Sequence, residues 1–205
     1  MLRVGLTGGY ATGKSFVAGE LEKLGCLIIY ADDLGHLVLQ PDGEAYADTV
    51  AEFSEEILAA DRTINRKRLG EIVFGSPELL AKLSGFVHPA VIALEERMLQ
   101  EFERREPGGI AVVEAAILIE TGRHTVFDCM ILTVCDEETA IERGMRRDYL
   151  TREQVLARLG KQLPVDEKKK HAHYVIDTSG PKEQTIRRVR QVYGELKAMG
   201  QDKRR

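Results

Sequence analysis

Eight residues near the start of the chain read GGYATGKS, positions 8–15. They match the phosphate-binding pattern G-x-x-x-x-G-K-[ST], with Gly8, Gly13, Lys14 and Ser15 at the defining positions. Each type is demanded by the chemistry. Glycines let the backbone curl until successive N–H groups aim at phosphate oxygens. The helix that follows turns the positive end of its dipole toward the same anion. Gly8, Gly9, Ala11, Thr12, Gly13, Lys14, Ser15 and Phe16 are therefore expected to wrap the polyphosphate of a nucleotide, foremost ATP. Lys14 would neutralise the β and γ phosphates, and the Ser15 hydroxyl would ligate Mg²⁺. A chance match in a chain of this length has odds of about one per cent on ordinary residue frequencies.

A bound polyphosphate can be hydrolysed or transferred, so a second group must be sought. Asp32 follows directly on the apolar run CLIIY, residues 26–30. A carboxylate past a strand end can accept the proton of an attacking hydroxyl. It can equally cap the helix that follows, and spacing leaves both roles open. No N/T-K-x-D guanine-recognition pattern occurs, which weighs against a GTPase. The apolar run 110–113 ends in Glu114 rather than in an Asp suited to holding a metal. That fits a small-molecule kinase, where Mg²⁺ rests mainly on the loop hydroxyl, phosphate and water.

The elements that must position these groups follow from the apolar spacing. Leu2–Thr7 reads as a buried strand running into the glycines, and Lys14–Leu24 as a helix stopped by Gly25. Further strands are expected at 26–30, 110–113, 128–134 and 174–176. Helices are expected at 137–147, from Thr151 (opened by a Thr-x-x-Gln capping box) and at 182–199. Between 34 and 105 no strand is evident. A short helix stopped by Pro41 and helices at 46–58, 66–74 and 77–105 are expected, the last broken or kinked at Pro89. Alternating strands and helices predict an α/β fold, a doubly wound parallel sheet with ligands beyond the carboxyl ends of its strands. The expected organisation is one P-loop NTPase-like kinase domain over 1–205. Its core would be 1–33, 106–142 and 174–200, with a helical acceptor-binding insertion at 34–105 and a helical lid at 143–173.

With these residues in place, the chain resembles the dephospho-CoA kinase family over nearly its whole length. The resemblance rests on LTGG-x-x-x-GKS at 6–15, Ala-Asp at 31–32, V-x-x-P at 38–41 and His88-Pro89. It continues through ILIE at 117–120, R-x-x-x-RD at 143–148, Gln162 and AHYVIDTSG at 172–180. It implies ATP-dependent phosphorylation of the ribose 3′-hydroxyl of 3′-dephospho-CoA, the last step of coenzyme A biosynthesis. It further implies Asp32 as base, His88 and Pro89 on the acceptor side, and Arg143 and Arg147 as lid arginines near the phosphates. The turn at Thr178, Ser179 and Gly180 would face the adenine. Cationic donors suit the negative charge spread over a transferring phosphoryl group, and a lid brings them in while excluding water. Arg146, Arg152, Lys161 and the run Lys168–Lys170 are expected to be solvated. Three positions depart from the family: Tyr30 stands where an Asp is usual, His36 where an Arg is frequent, and Ala116 where a Pro is common. His36 would make an acceptor phosphate contact weaker or pH-dependent.

Two other readings compete: a nucleoside or nucleoside-monophosphate kinase of the same fold, and a nucleotide-dependent regulatory switch with no acceptor. The formal net charge of −4 argues against a general nucleic-acid binder. No apolar run approaches a membrane span, and the start of the chain lacks the features of a signal peptide. Three cysteines, none in a C-x-x-C pair, read as buried reduced thiols. A cytoplasmic enzyme acting on a small molecule is expected, as a monomer or weak homo-oligomer, without nucleic-acid or membrane partners.

Overall fold

A computed structural model describes residues 1–203. Five strands, β1 (Leu2–Gly8), β2 (Leu27–Tyr30), β3 (Ile110–Glu114), β4 (Cys129–Val134) and β5 (Tyr174–Asp177), form one sheet in the order β2-β3-β1-β4-β5. The pairings of β1 with β3, β1 with β4, and β4 with β5 are all parallel. Every residue of β3 is buried, as are all but one in each of β1 and β4. Continuous burial along a strand means that both faces of the sheet are covered. The strand order reverses at β1, which lies between β3 and β4. The crevice beyond the carboxyl end of β1 is therefore the place where such a sheet binds ligands.

Helix α1 (Lys14–Lys23) packs with the last helix, α9 (Lys182–Asp202), and both contact β1 and β3. Three further helices, α6 (Glu137–Asp148), α7 (Arg152–Leu159) and α8 (Val165–Lys169), lie between β4 and β5. Asp136 caps α6 through the Thr139 N–H at 2.8 Å. The predicted capping box opens α7: Gln154 N donates to Thr151 Oγ1 and Thr151 N to Gln154 Oε1.

Packing divides the chain into two compact units, residues 1–29 with 102–205, and residues 30–101. The segment expected to act as a lid, 143–173, belongs to the first. The second unit is helical, with α2 (Ala31–Leu37), α3 (Tyr46–Phe53), α4 (Arg66–Phe74) and most of α5 (Pro77–Arg105). Its own small core gathers Phe53, Ile57, Ile64, Leu69 and Val73, and a smaller one Val38, Ala45 and Ala90.

Two expectations in this unit need correction. The helix expected over 46–58 stops at Phe53, because Ser54 takes a left-handed φ of 65° and starts a 3₁₀ turn at Glu55–Ile57. Helix α5 also continues past the expected break, with Pro89 inside it. Proline removes one backbone bond from the ladder, and a flanking row of packed side chains (Phe86, Val87, Ala90, Val91, Leu94) holds the helix on either side of it.

Candidate active site

The phosphate loop is built by the sheet beneath it. A Cβ at Gly8 would fall inside the van der Waals shell of Thr133 Oγ1 and only 2.7 Å from the Thr133 carbonyl, so β4 leaves room there for glycine alone. Gly13 has φ 79° and forms the N-terminal boundary of α1 with no side-chain cap. The first N–H groups of α1 therefore have no side-chain capping acceptor and suit an anion. Threonines fasten the loop's frame. Thr12 Oγ1 donates to Gly9 O at 2.8 Å and lies 2.8 Å from Thr133 Oγ1, while Thr178 Oγ1 donates to Thr12 O at 3.0 Å. Lys14 Nζ donates to the carbonyls of Gly8 and Gly9 at 3.2 and 3.1 Å, across the mouth of the loop.

Around the loop lies a cavity of about 550 Å³. Its walls include loop residues from Ala11 through Phe16, with Arg143, Arg146 and Arg147 from α6, and Thr178 and Gly180 from the turn after β5. Arg143 is anchored: Nη1 donates to Thr178 Oγ1 at 2.9 Å and Nη2 to Thr178 O at 2.6 Å. Arg147 is held by its neighbour Asp148, with Nε to Oδ1 at 2.8 Å and Nη2 to Oδ2 at 3.1 Å. Five cationic side chains, Lys14, the three arginines and Lys182, thus line one cavity. A concave site of that sign concentrates a polyanion.

The matching sequence profile is that of dephospho-CoA kinase, over residues 2–184. The chain belongs to the dephospho-CoA kinase family. A dephospho-CoA kinase of Geobacter sulfurreducens is 39% identical over 192 residues, which covers 94% of this chain and 97% of that one. A crystal structure of a Thermus thermophilus protein superposes with a TM-score of 0.78 at 31% identity, covering 95% of this chain and 97% of the other. A dephospho-CoA kinase structure from Campylobacter jejuni gives a TM-score of 0.66 at 27% identity, covering 95% and 96%.

Against this family background, the structure sorts the site residues named from sequence. It brings together the loop residues, Arg143, Arg147 and Gly180 within the first unit. Ser179 does not line the cavity: its hydroxyl accepts from Asp136 N at 2.9 Å and donates to Asp177 Oδ1 at 2.7 Å, which ties down the turn. Asp32 and His36 lie in the second unit, exposed and one helical turn apart on α2, so they share a face. The Asp32 side chain makes no capping bond to α2, whose N-terminal boundary is Tyr30. His88 and Pro89 are exposed on α5.

Arg146 is exposed, as expected of a solvated face, and it also lines the cavity. Sequence reasoning went astray at one cation. Lys168, expected in a solvated basic run, is 1% exposed with its Nζ 2.6 Å from Glu120 Oε1. It anchors α8 on the segment after β3. Thr178, expected in the turn beside the nucleotide, does line the cavity, whereas Lys182 and Thr185 were missed as cavity residues. The signal for Lys182 was available: it follows the turn TSGP at the start of α9.

Proposed function

We infer that this chain transfers the γ-phosphoryl group of ATP to the ribose 3′-hydroxyl of 3′-dephospho-CoA, giving CoA and ADP. The observation that carries the reading is the family membership of a chain whose lid arginines share a cavity with its phosphate loop. Hydrolysis alone needs no second binding unit, whereas transfer to an acceptor does. The helical unit 30–101 is assigned to that acceptor, with Asp32 as base and with His36, His88 and Pro89 as its contacts. In the transfer, the acceptor oxygen forms a bond to the γ-phosphorus, the bond to the β-phosphate bridging oxygen breaks, and the hydroxyl proton passes to Asp32. Lys14, Arg143 and Arg147 bear on the charge that spreads over the phosphoryl oxygens. Segment 143–173 excludes water as a lid.

Mg²⁺ fits the residues present. Among the described residues no cluster of three or more His, Cys, Asp or Glu side chains is arranged to cage a metal. Ser15, a hard oxygen donor at the cavity wall, suits an ion that keeps waters and is carried mainly by phosphates. Bound there, Mg²⁺ would neutralise β- and γ-phosphate charge. No helix among the described residues is long and apolar enough to cross a membrane. A cytoplasmic setting and a monomeric or weakly associating chain are part of the same reading.

The test is ADP release measured with and without 3′-dephospho-CoA, alongside a panel of nucleosides and nucleoside monophosphates. Turnover strictly dependent on dephospho-CoA is expected; acceptor-independent hydrolysis, or a preference for a nucleoside, would replace the reading. Asp32→Asn is expected to bind ATP normally and to lower kcat at least ~100-fold, the usual scale for loss of a base. Near-normal turnover would remove Asp32 from the role.

A further inference from the structure

Tyr10 occupies a variable position of the phosphate-loop pattern, where the motif's chemistry asks for nothing in particular. Yet its side chain is the meeting point of the loop and the lid segment. The Tyr10 hydroxyl donates to Asp148 Oδ2. The guanidinium carbons of Arg147 and Arg158 lie over its ring, 5.0 and 5.4 Å from the centroid. Asp148 takes Nε and Nη2 of Arg147 as well as Nη1 of Arg158 at 3.1 Å. The backbone N–H of Tyr10 donates to Gln162 Oε1 at 2.7 Å. Helix α6 makes room for the ring with a glycine, since a Cβ at Gly144 would come within 2.5 Å of Tyr10 Cε1.

We propose that Tyr10 and Asp148 are positioning residues for phosphoryl transfer, which fix the Arg147 guanidinium over the phosphate loop. The inference rests on the assignment of Arg147 to the transferring phosphate. Two contacts of different kinds define the guanidinium's plane. The carboxylate takes two of its nitrogens in a fork, which sets rotation within the plane, and the aromatic face below sets the tilt. Nη1 is the nitrogen that the carboxylate does not take. Because Tyr10 belongs to the loop itself, any shift of the loop carries the arginine's seat with it. Arg158 completes the seat from α7: it stacks on the same ring and pairs with the same carboxylate, so both lid helices reference one loop side chain. Asp148 stays ionised throughout the neutral range, because the two arginines and the tyrosine hydroxyl hold its carboxyl well below the usual carboxylate range.

A double-mutant cycle in kcat tests the proposal, with Tyr10→Leu and Arg147→Ala alone and combined. Tyr10→Leu alone is expected to lower kcat about tenfold with little change in the KM for dephospho-CoA, the pattern of an interaction made in the transition state. In the Arg147→Ala background the same change should cost less than about twofold, because residues acting through one another are not additive. Tyr10→Phe, which keeps the ring and loses the hydroxyl, should fall between, and Asp148→Asn should resemble Tyr10→Leu. If Tyr10→Leu does not fold by circular dichroism, the cycle is run with Tyr10→Phe. Equal losses with and without Arg147, or full kcat in Tyr10→Leu, would overturn the proposal while Arg147 keeps its role. Wild-type kcat in Arg147→Ala alone would overturn the assignment of Arg147 and the proposal with it.

Discussion

At the scale of single residues, the backbone separates strain that serves the site from strain that serves nothing visible. Among the described residues, four that are not glycine have positive φ: Ala11, Ser54, Arg62 and Tyr149. Ala11 is buried in the phosphate loop, where the curl that aims N–H groups inward requires a left-handed turn. Tyr149 ends α6 at φ 55°, ψ 38°, with its residue 94% exposed. Left-handed backbone costs an ordinary residue about 1–2 kcal/mol. Glycine escapes that cost but pays roughly 0.5–1 kcal/mol in chain entropy. Tyr149→Gly should therefore stabilise the protein by roughly 0.5–1 kcal/mol, since an exposed ring surrenders little packing and glycine is the favoured residue past a helix end. Thermal unfolding is expected to move up by about 1–4 °C, and a fall in Tm would show that the Tyr149 ring packs on something.

At the scale of elements, the contacts between α6, α7 and the loop predict a reversal of an ordinary rule. Alanine is normally better than glycine inside a helix by about 1 kcal/mol. At Gly144, however, a methyl would press on the Tyr10 ring at 2.5 Å and on both Val155 methyls at 3.2 Å. Overpacking of that kind costs about 1–3 kcal/mol, and the ring cannot swing away cheaply while Asp148 and two arginines hold it. Gly144→Ala should thus lower stability by about 1 kcal/mol net, and the loss should shrink in a Tyr10→Ala background; unfolding curves of the four proteins decide it. The same elements show what a sequence reveals. Strands β1, β3 and β4 were legible because burial on both faces leaves unbroken apolar runs. The phosphate loop was legible because its chemistry is local, eight residues in a row. The burial of Lys168 was not, since it depends on Glu120, which lies 48 positions earlier and turns one lysine of a basic run inward. Nor was the seat of Arg147, because nothing near Tyr10 in the sequence announces Asp148. Pro89 misled for a related reason: a local rule predicted a break, and packing along α5 overrode it.

At the scale of the whole molecule, two thiols report on cooperative unfolding and set an alkaline limit to stability. Cys26 precedes β2 and Cys129 begins β4, and both are buried free thiols, 5% and 0% exposed. Burial disfavours the thiolate and pushes each pKa up to about 12, whereas an unfolded cysteine titrates near 8.5. Between roughly pH 9 and 12 the unfolded chain has lost these two protons and the folded chain has kept them. The folded state then binds more protons, so stability is full below the unfolded value and falls as pH rises toward the folded one. Each proton contributes about 1.4 kcal/mol per pH unit, roughly 2–3 kcal/mol per unit for the pair once both unfolded thiols are ionised. Tyr10 and Tyr174, whose burial also raises their pKa values, deepen the same decline. Denaturant unfolding under reducing conditions at pH 8, 9 and 10 should show stability dropping ever more steeply. In the Cys26→Ala/Cys129→Ala protein, which starts from a lower value at neutral pH because two buried sulfurs are gone, the drop should be much shallower. Parallel slopes in the two proteins would mean that the thiols ionise without unfolding, and that the sheet opens locally at the start of β2 or β4 long before the rest of the chain gives way.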